Sequence, residues 1–344
     1  MSSPTPLQSF LGGLSLPVPV HALMLLNGNV FGISGYVHRA TKGSFEALMG
    51  VTGLILGGMA VGKLEGAGPL RTDMPLPQVM LSGIFVGLGS KLANGCTSGH
   101  MIAGIARFSL RSIVATATFF TTGVITARLL HADLPAVGPA DLTLGENGTK
   151  FLALQALPFA VAVGLYNFAP DLGKRGKSPS AIKKTDETSP HPESPKVHNI
   201  TSGNAPHSFL RGLAYLTTSF GFAIALRLSN LTEQIRVVSF LLLPKHKAFD
   251  SSLFFLAIGA MPMAAGLYWF ARGDESPRLG GKWAIPKRGK VDGKLLAGAA
   301  IFGVGWGMAA GPGLVNFGRA LSTHTDLIQV GTWLGAVVLG GLLA

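Results

Sequence analysis

The chain is predicted to be an all-α, polytopic membrane protein of about nine spanning helices, with short re-entrant helices and two pseudo-symmetric halves of inverted sense. Three observations carry that prediction. Only 13% of the 344 residues are charged and 48% are hydrophobic, whereas a soluble domain is about 25% charged. The apolar residues fall in blocks of roughly 18 to 22, the length that about 30 Å of hydrocarbon requires, and not in amphipathic stripes. The Lys and Arg residues that give a net charge of +12 sit in the connections between those blocks. That distribution sets topology; it is not the aromatic-bearing basic face of a nucleic-acid binder.

In chain order the blocks are 16–37, 45–63, 78–93, 110–130 and 151–168, then 209–228, 252–270, 295–310 and 327–344. They form one membrane domain over 1–344, with a first repeat at 16–168, a solvated basic linker at 169–206 and a second repeat at 207–344. The N-terminal segment has neither a basic start nor a clean small-residue cleavage site, so the first block is expected to be retained. The linker is rich in Lys, Ser and Pro and too poor in apolar residues to bury a core. It and the basic connection 272–294 are expected on the cytoplasmic side, and the acidic segment 131–149 on the other, by the positive-inside rule. Arg107 and Arg111 read as interfacial anchors on the inner side, and the polar insert from Arg227 to Arg236 as a short interfacial turn in which Arg227 and Glu233 could pair.

The blocks also repeat. Ile84 to Gly95 reads IFVGLGSKLANG and Ile301 to Gly313 reads IFGVGWGMAAGPG, with Gly87, Gly89, Ala93 and Gly95 matching Gly303, Gly305, Ala309 and Gly311. Approximate repeats in a membrane protein imply pseudo-twofold halves with a substrate path between them.

The single cysteine, Cys96, lies in Asn94-Gly95-Cys96-Thr97-Ser98-Gly99-His100, a run that a continuous helix disfavours because glycines and short polar side chains destabilise it. The helix is expected to break there. Irregular backbone at membrane depth is tolerated only where protein buries it or a wet cavity takes it up. If Thr97 or Ser98 caps a new half-helix running to Arg107, its free N–H groups and positive dipole end face the cavity beside the thiol, a setting for an anion, and one with a sulfur atom above all. A lone cysteine forms no intrachain disulfide and no cysteine zinc site. It can also be a plain packing residue, as Gly95 and Gly99 can be plain contact residues between helices. His100 reads either as a cavity residue or as a histidine satisfied by a carbonyl, and Lys91 either snorkels or adds positive potential. In the second half Gly311-Pro312-Gly313 breaks the helix again, because Pro312 lacks the backbone donor.

NGNVFGISG (Asn27 to Gly35), GCTSGHMIAGIARFSLRS (Gly95 to Ser112) and FGVGWGMAAGPG (Phe302 to Gly313) resemble the YeeE/YedE sulphur-transport family, whose characterised members take up thiosulfate. The resemblance implies an hourglass of inverted helical halves and a central path on which thiosulfate passes cysteine thiols through transient S–H···S hydrogen bonds. It places the path thiol at Cys96, with Gly95, Thr97, Ser98, Gly99 and His100 around it and Gly311, Pro312 and Gly313 in the other half. One departure is clear: where the family's second half has a Cys-Pro-Gly-Pro element, this chain reads Ala309-Ala310-Gly311-Pro312-Gly313. A relay of two or more thiols therefore does not operate here as it does in those members. The sequence is read as a non-enzymatic, multi-pass transporter of a small inorganic sulfur anion in a lipid bilayer, without cofactor or metal. A membrane sulfurtransferase using Cys96 as persulfide carrier, and a degenerate non-transporting paralogue, are the alternatives.

Overall fold

Hydrocarbon offers no water to backbone N–H and C=O groups, so the apolar blocks must satisfy them internally as helices. A computed structural model describes residues 3–69, 74–169, 208–272, 276–286, 290–311 and 313–344. In order these form α1 (Pro6–Ser15), α2 (Pro17–Asn27), α3 (Ile33–Ala40), α4 (Phe45–Glu65), α5 (Leu76–Leu92), a π-helical segment (Ser98–Ile105), α6 (Leu110–Leu130), α7 (Gly148–Phe168), α8 (Ser208–Leu228), α9 (Gln234–Leu241), α10 (Ser252–Phe270), α11 (Gly293–Ala309), α12 (Gly313–Thr323) and α13 (Leu327–Leu342). Seven stretches among the described residues are long and apolar enough to cross a membrane: Pro6–Asn27, which joins α1 and α2, then α4, α6, α7, α8, α10, and Gly293–Thr323, which contains α11. The remaining two expected crossings, α5 and α13, are apolar but only 17 and 16 residues long. The protein is thus an all-α, multi-pass integral membrane protein, as the composition requires. The linker expected at 169–206 lies outside the described residues except for Ala169, as do Lys287, Arg288 and Pro312.

Helix ends follow local chemistry. The Ser44 hydroxyl accepts from the Ala47 amide and starts α4, and the Asp292 carboxylate accepts from the Leu295 amide at 2.8 Å and starts α11. The first expected span, 16–37, is corrected by the structure. The crossing runs instead from Pro6 to Asn27, with a seam at Leu16 where Pro17 starts α2, and stops at Gly28, whose φ of +74° ends the helix in the left-handed region. Ile33 onward is a separate short helix.

The helices pack in a reciprocal pattern. α4 lies along α8 and α10 along α1; α5 lies against α11 and α13, and α11 against α5 and α6. The α5–α11 contact is antiparallel: Gly298 abuts the Ala93 amide at one end, and at the other Gln78 Nε2 donates to the Met308 carbonyl. Between them, the backbone of Gly89 touches the Phe302 amide and the Gly298 carbonyl, an approach that leaves no room for a Cβ.

The insert between α8 and α9 is not interfacial as expected. Ser229, Asn230, Thr232, Glu233 and Arg236 are all buried. The cause is a closed charge network where α4, α8 and α12 meet. Arg227 Nε lies 2.6 Å from Glu65 Oε1 and its Nη1 3.5 Å from Glu233 Oε1, while Arg319 reaches Glu65 Oε2 at 2.8 Å and Glu233 Oε1 at 3.2 Å. Two carboxylates and two guanidiniums neutralise one another, which is the condition for keeping them out of water.

Adding one methyl in Gly89→Ala forces the α5 and α11 backbones apart, and a loss of about 1–3 kcal/mol is expected. Gly164→Ala, on α7 with nothing within 4 Å, should be neutral or gain about 0.5–1 kcal/mol. Unfolding of both variants by denaturing detergent, followed by circular dichroism, checks the contrast.

Candidate functional site

α5 ends where the sequence predicts a break. Asn94 takes a φ of +54°, its amide donates to the Lys91 carbonyl at 3.2 Å, and the Gly95 amide donates to the Ser90 carbonyl at 2.9 Å. This pair of reversed bonds closes the last turn of the helix. Arg111 Nη2 donates to the Ala93 carbonyl at 3.2 Å, so this arginine caps the broken end and is not a free interfacial anchor. Seventeen residues rise about 25 Å, so the break comes at one end of α5 and not at mid-span.

The chain beyond this break is not an ordinary half-helix. Ser98–Ile105 is π-helical, and neither Thr97 nor Ser98 supplies a side-chain cap. Single π turns insert an extra residue and concentrate at functional places. The Ser98 hydroxyl instead lies 3.2 Å from Cys96 Sγ and accepts from the Ile33 amide at 3.4 Å. Ile33 is the first residue of α3, so the starts of α3 and of the π segment converge on one hydroxyl beside the thiol. Ser98 and His100 are buried and Cys96 is half-buried. A Cβ added at Gly99 or at Gly32 would meet nothing within 4 Å, which leaves open space on both sides of this junction.

The surroundings are polar and unevenly satisfied. His100 Nδ1 is 3.3 Å from Ser112 Oγ, whereas its Nε2 is buried without a hydrogen-bond partner among the described residues. The ring rests on Gly95, where a Cβ would come within 2.7 Å of Nε2. Tyr36, fully buried, lies within electrostatic reach of Cys96, and its hydroxyl is also without a partner among the described residues. Tyr36 stacks edge-on against Phe31 and Tyr215, and Tyr215 accepts from Asn29 Nδ2 at 2.9 Å.

Charge separates this region from the rest. Among the described residues Arg39, Lys91, Arg107 and Arg111 have no carboxylate partner, whereas the buried Arg211, Arg227, Arg236 and Arg319 each do. Arg39 lies over the Tyr36 ring, and Arg107 Nε donates to the Ala103 carbonyl at 2.7 Å.

The expected site residues therefore divide in two. Gly95, Cys96, Thr97, Ser98, Gly99 and His100 form one junction at the end of α5. Gly311 and Gly313 belong to the break at the end of α11, which the antiparallel packing puts at the opposite end of the pair. There Ala310 and Gly311 have φ values of +50° and +52°, and Gly311 lies against the Trp333 indole, whose Nε1 donates to Ser82 Oγ at 3.3 Å. Sequence reasoning misses Asn29, Tyr36, Arg39 and Tyr215. The Asn27 to Gly35 motif marks their neighbourhood, but only the folded chain brings α3 against the π segment.

A family model described as sulphur transport matches residues 9–126. A second, described as a family of unknown function (DUF6691), matches residues 211–343. A protein of Xylella fastidiosa strain 9a5c described as a probable transporter is 44% identical over 123 residues, 35% of this chain and 91% of that protein. A second probable transporter, from strain Temecula1 of the same species, is 29% identical over 120 residues, 34% of this chain and 80% of that protein. Each of these relatives is less than half as long as this chain. No solved structure matches.

Gly95→Ala is expected to push the His100 ring off its seat and to lower stability by about 1–3 kcal/mol. His100→Ala made together with Gly95→Ala should recover part of that loss, and a double-mutant cycle on detergent unfolding midpoints checks the coupling.

Proposed function

This chain belongs to the YeeE/YedE-type sulphur-transport family and is a membrane transporter, and from that premise we propose that its substrate is thiosulfate, passed along a central path by contact with the Cys96 thiol. One observation carries the reading. The thiol sits at a helix break beside two converging helix starts, with open space at Gly32 and Gly99, in a half where Arg39, Lys91, Arg107 and Arg111 have no carboxylate partner among the described residues. Backbone N–H groups and unpaired cations attract an oxyanion, and a polarizable thiol suits its terminal sulfur.

Two inverted halves frame this path in our reading. Exchange of halves converts α4 on α8 into α10 on α1, and α5 on α13 into α11 on α6, while α5 on α11 maps to itself. The antiparallel α5–α11 pair supports the inverted sense. Relatives shorter than half of this chain are consistent with a chain built of two halves, whatever their relative sense. The second half has no thiol, so Cys96 makes the one sulfur contact, and polar groups and charge carry the anion through the remainder.

Vesicles containing only this protein should take up labelled thiosulfate in preference to sulfate and sulfite, and Cys96→Ala should abolish the uptake. Unchanged uptake by Cys96→Ala would defeat the thiol path. Absence of any flux through the wild type would defeat transport itself.

A further inference from the structure

The charge network at the α4–α8–α12 junction has a counterpart at the junction that the other half forms, between α10, α2 and the π segment. Among the described residues the counterpart holds no carboxylate. Glu65 lies 21 residues beyond Ser44, the N-cap of α4, and Arg272 lies 21 residues beyond Ser251, the N-cap of α10. Glu233 is the N-cap of α9, three residues after Asn230, and Gly32 is the N-cap of α3, three residues after Asn29. Arg227 corresponds by the same spacing to Leu26. Arg319 directly follows Gly318 on the short segment beyond the α11 break, and Arg107 comes three residues after Gly104 beyond the α5 break, so the two arginines share a segment but not an aligned position. Among the described residues, two positive and two negative side chains at one junction thus stand against two positive and none at the other.

The structure has a cavity at that second junction, lined by His21 of α2, Phe31, Ile102 and Arg107 of the first-half loops and π segment, and Ala264 and Tyr268 of α10. His21 is more than nine-tenths buried, with the Ala271 backbone beside its ring. Arg107 binds the protein only through Nε, to Ala103, so its two terminal nitrogens are unused among the described residues. Arg272 does not line this cavity but lies within electrostatic reach of His21; it donates to the Tyr268 hydroxyl at 3.1 Å and lies over the Tyr268 and Trp283 rings. Unused donors, two guanidiniums and no carboxylate among the described residues define a place for an anion.

We infer that Arg107, His21 and Arg272 form a binding station for the transported oxyanion, occupying the place that the carboxylates of Glu65 and Glu233 fill permanently at the opposite junction. The inference rests on the transport reading above but concerns a different set of side chains from Cys96. Ile102 and Phe31 join the station to the thiol junction: the first lies on the segment that begins at Ser98, and the second in the loop that ends at Ile33. The cavity is about 30 Å³, room for one or two waters, so an oxyanion must displace its α10 wall. Trp269, next to Tyr268, reports that movement, because its indole N–H donates to the Ala106 carbonyl at 3.0 Å, one residue from Arg107.

Purified full-length protein should therefore bind labelled thiosulfate with a change in indole emission that disappears in Trp269→Phe. Arg107→Lys should keep most of this binding, whereas Arg107→Gln should weaken it at least about tenfold. Arg272→Glu, which supplies the carboxylate that α4 carries at the matching position, should abolish it. Wild-type-like binding by Arg107→Gln and Arg272→Glu, or no anion binding by the wild type, overturns the station. If Cys96-dependent uptake persists in that case, only the station falls. Arg107-dependent binding without flux in wild-type vesicles supports the station and removes the transport reading, and Arg107-dependent binding of sulfate or chloride in place of thiosulfate supports it and removes the substrate.

Discussion

A backbone amide or carbonyl with no partner in hydrocarbon is the constraint on which the rest of this structure depends. Long helices meet it automatically, but the chain breaks its helices after Asn27, Leu92, Leu228 and Ala309, and each break frees carbonyls that something must take up. Arginine does much of that work. Arg111 donates to the Ala93 carbonyl past α5, Arg128 to the Leu242 carbonyl past α9, Arg211 to the Asn27 carbonyl ending α2, and Arg278 to the Tyr166 carbonyl near the end of α7. A guanidinium suits this place twice over, since it brings several donors and a positive charge to the negative end of a helix. The net charge of +12 is thus partly structural.

The same constraint explains why the two junctions differ in kind. At the α4–α8–α12 junction the guanidiniums of Arg227 and Arg319 are answered by Glu65 and Glu233, and the short helix α12 is fixed to α4 by charge as well as by packing. Truncating one member of such a group leaves its partner charged and buried, at a penalty of about 3–5 kcal/mol. At the α2–α10–π junction no carboxylate answers Arg107 or Arg272 among the described residues, and the π segment is held by weaker means: one hydroxyl between Cys96 and Ile33, and one imidazole against Ser112. The half that bears the thiol is the half less firmly tied.

Much of the fold is legible in the sequence because composition and block length respond directly to the bilayer. Every apolar block but the first is helical through most of its length, and the break at Asn94 arises from residues that helices disfavour. The departures have physical causes. The first expected span, 16–37, begins ten residues late, because the crossing starts with α1 and proline at the first position of α2 continues it. The Arg227 to Arg236 insert reads as interfacial when its charges are counted singly. Glu65 and Arg319, 162 and 92 residues from Arg227, are what make burial tolerable, and no local pattern announces them. The junction around Cys96 is half visible: the run from Gly95 to His100 marks it, but Tyr36 and the Ile33 amide arrive from a helix that the sequence alone merges into a span.

The loss of the second thiol then has a structural counterpart. At the end of α11 the backbone turns left-handed at Ala310 and Gly311 and the Trp333 indole covers Gly311, held by the Ser82 hydroxyl, which itself donates to the Gly305 carbonyl at 2.8 Å. A cysteine side chain at Gly311 would need the volume that this ring occupies. At the end of α5 the corresponding Gly95 carries an imidazole, and Gly99 beyond it faces open space. One break is sealed by an aromatic ring and the other is lined by a thiol, a hydroxyl and an imidazole with an unused nitrogen. A sulfur relay between two thiols has no second stop in such a chain, and the proposed path relies beyond Cys96 on fixed charge and backbone amides.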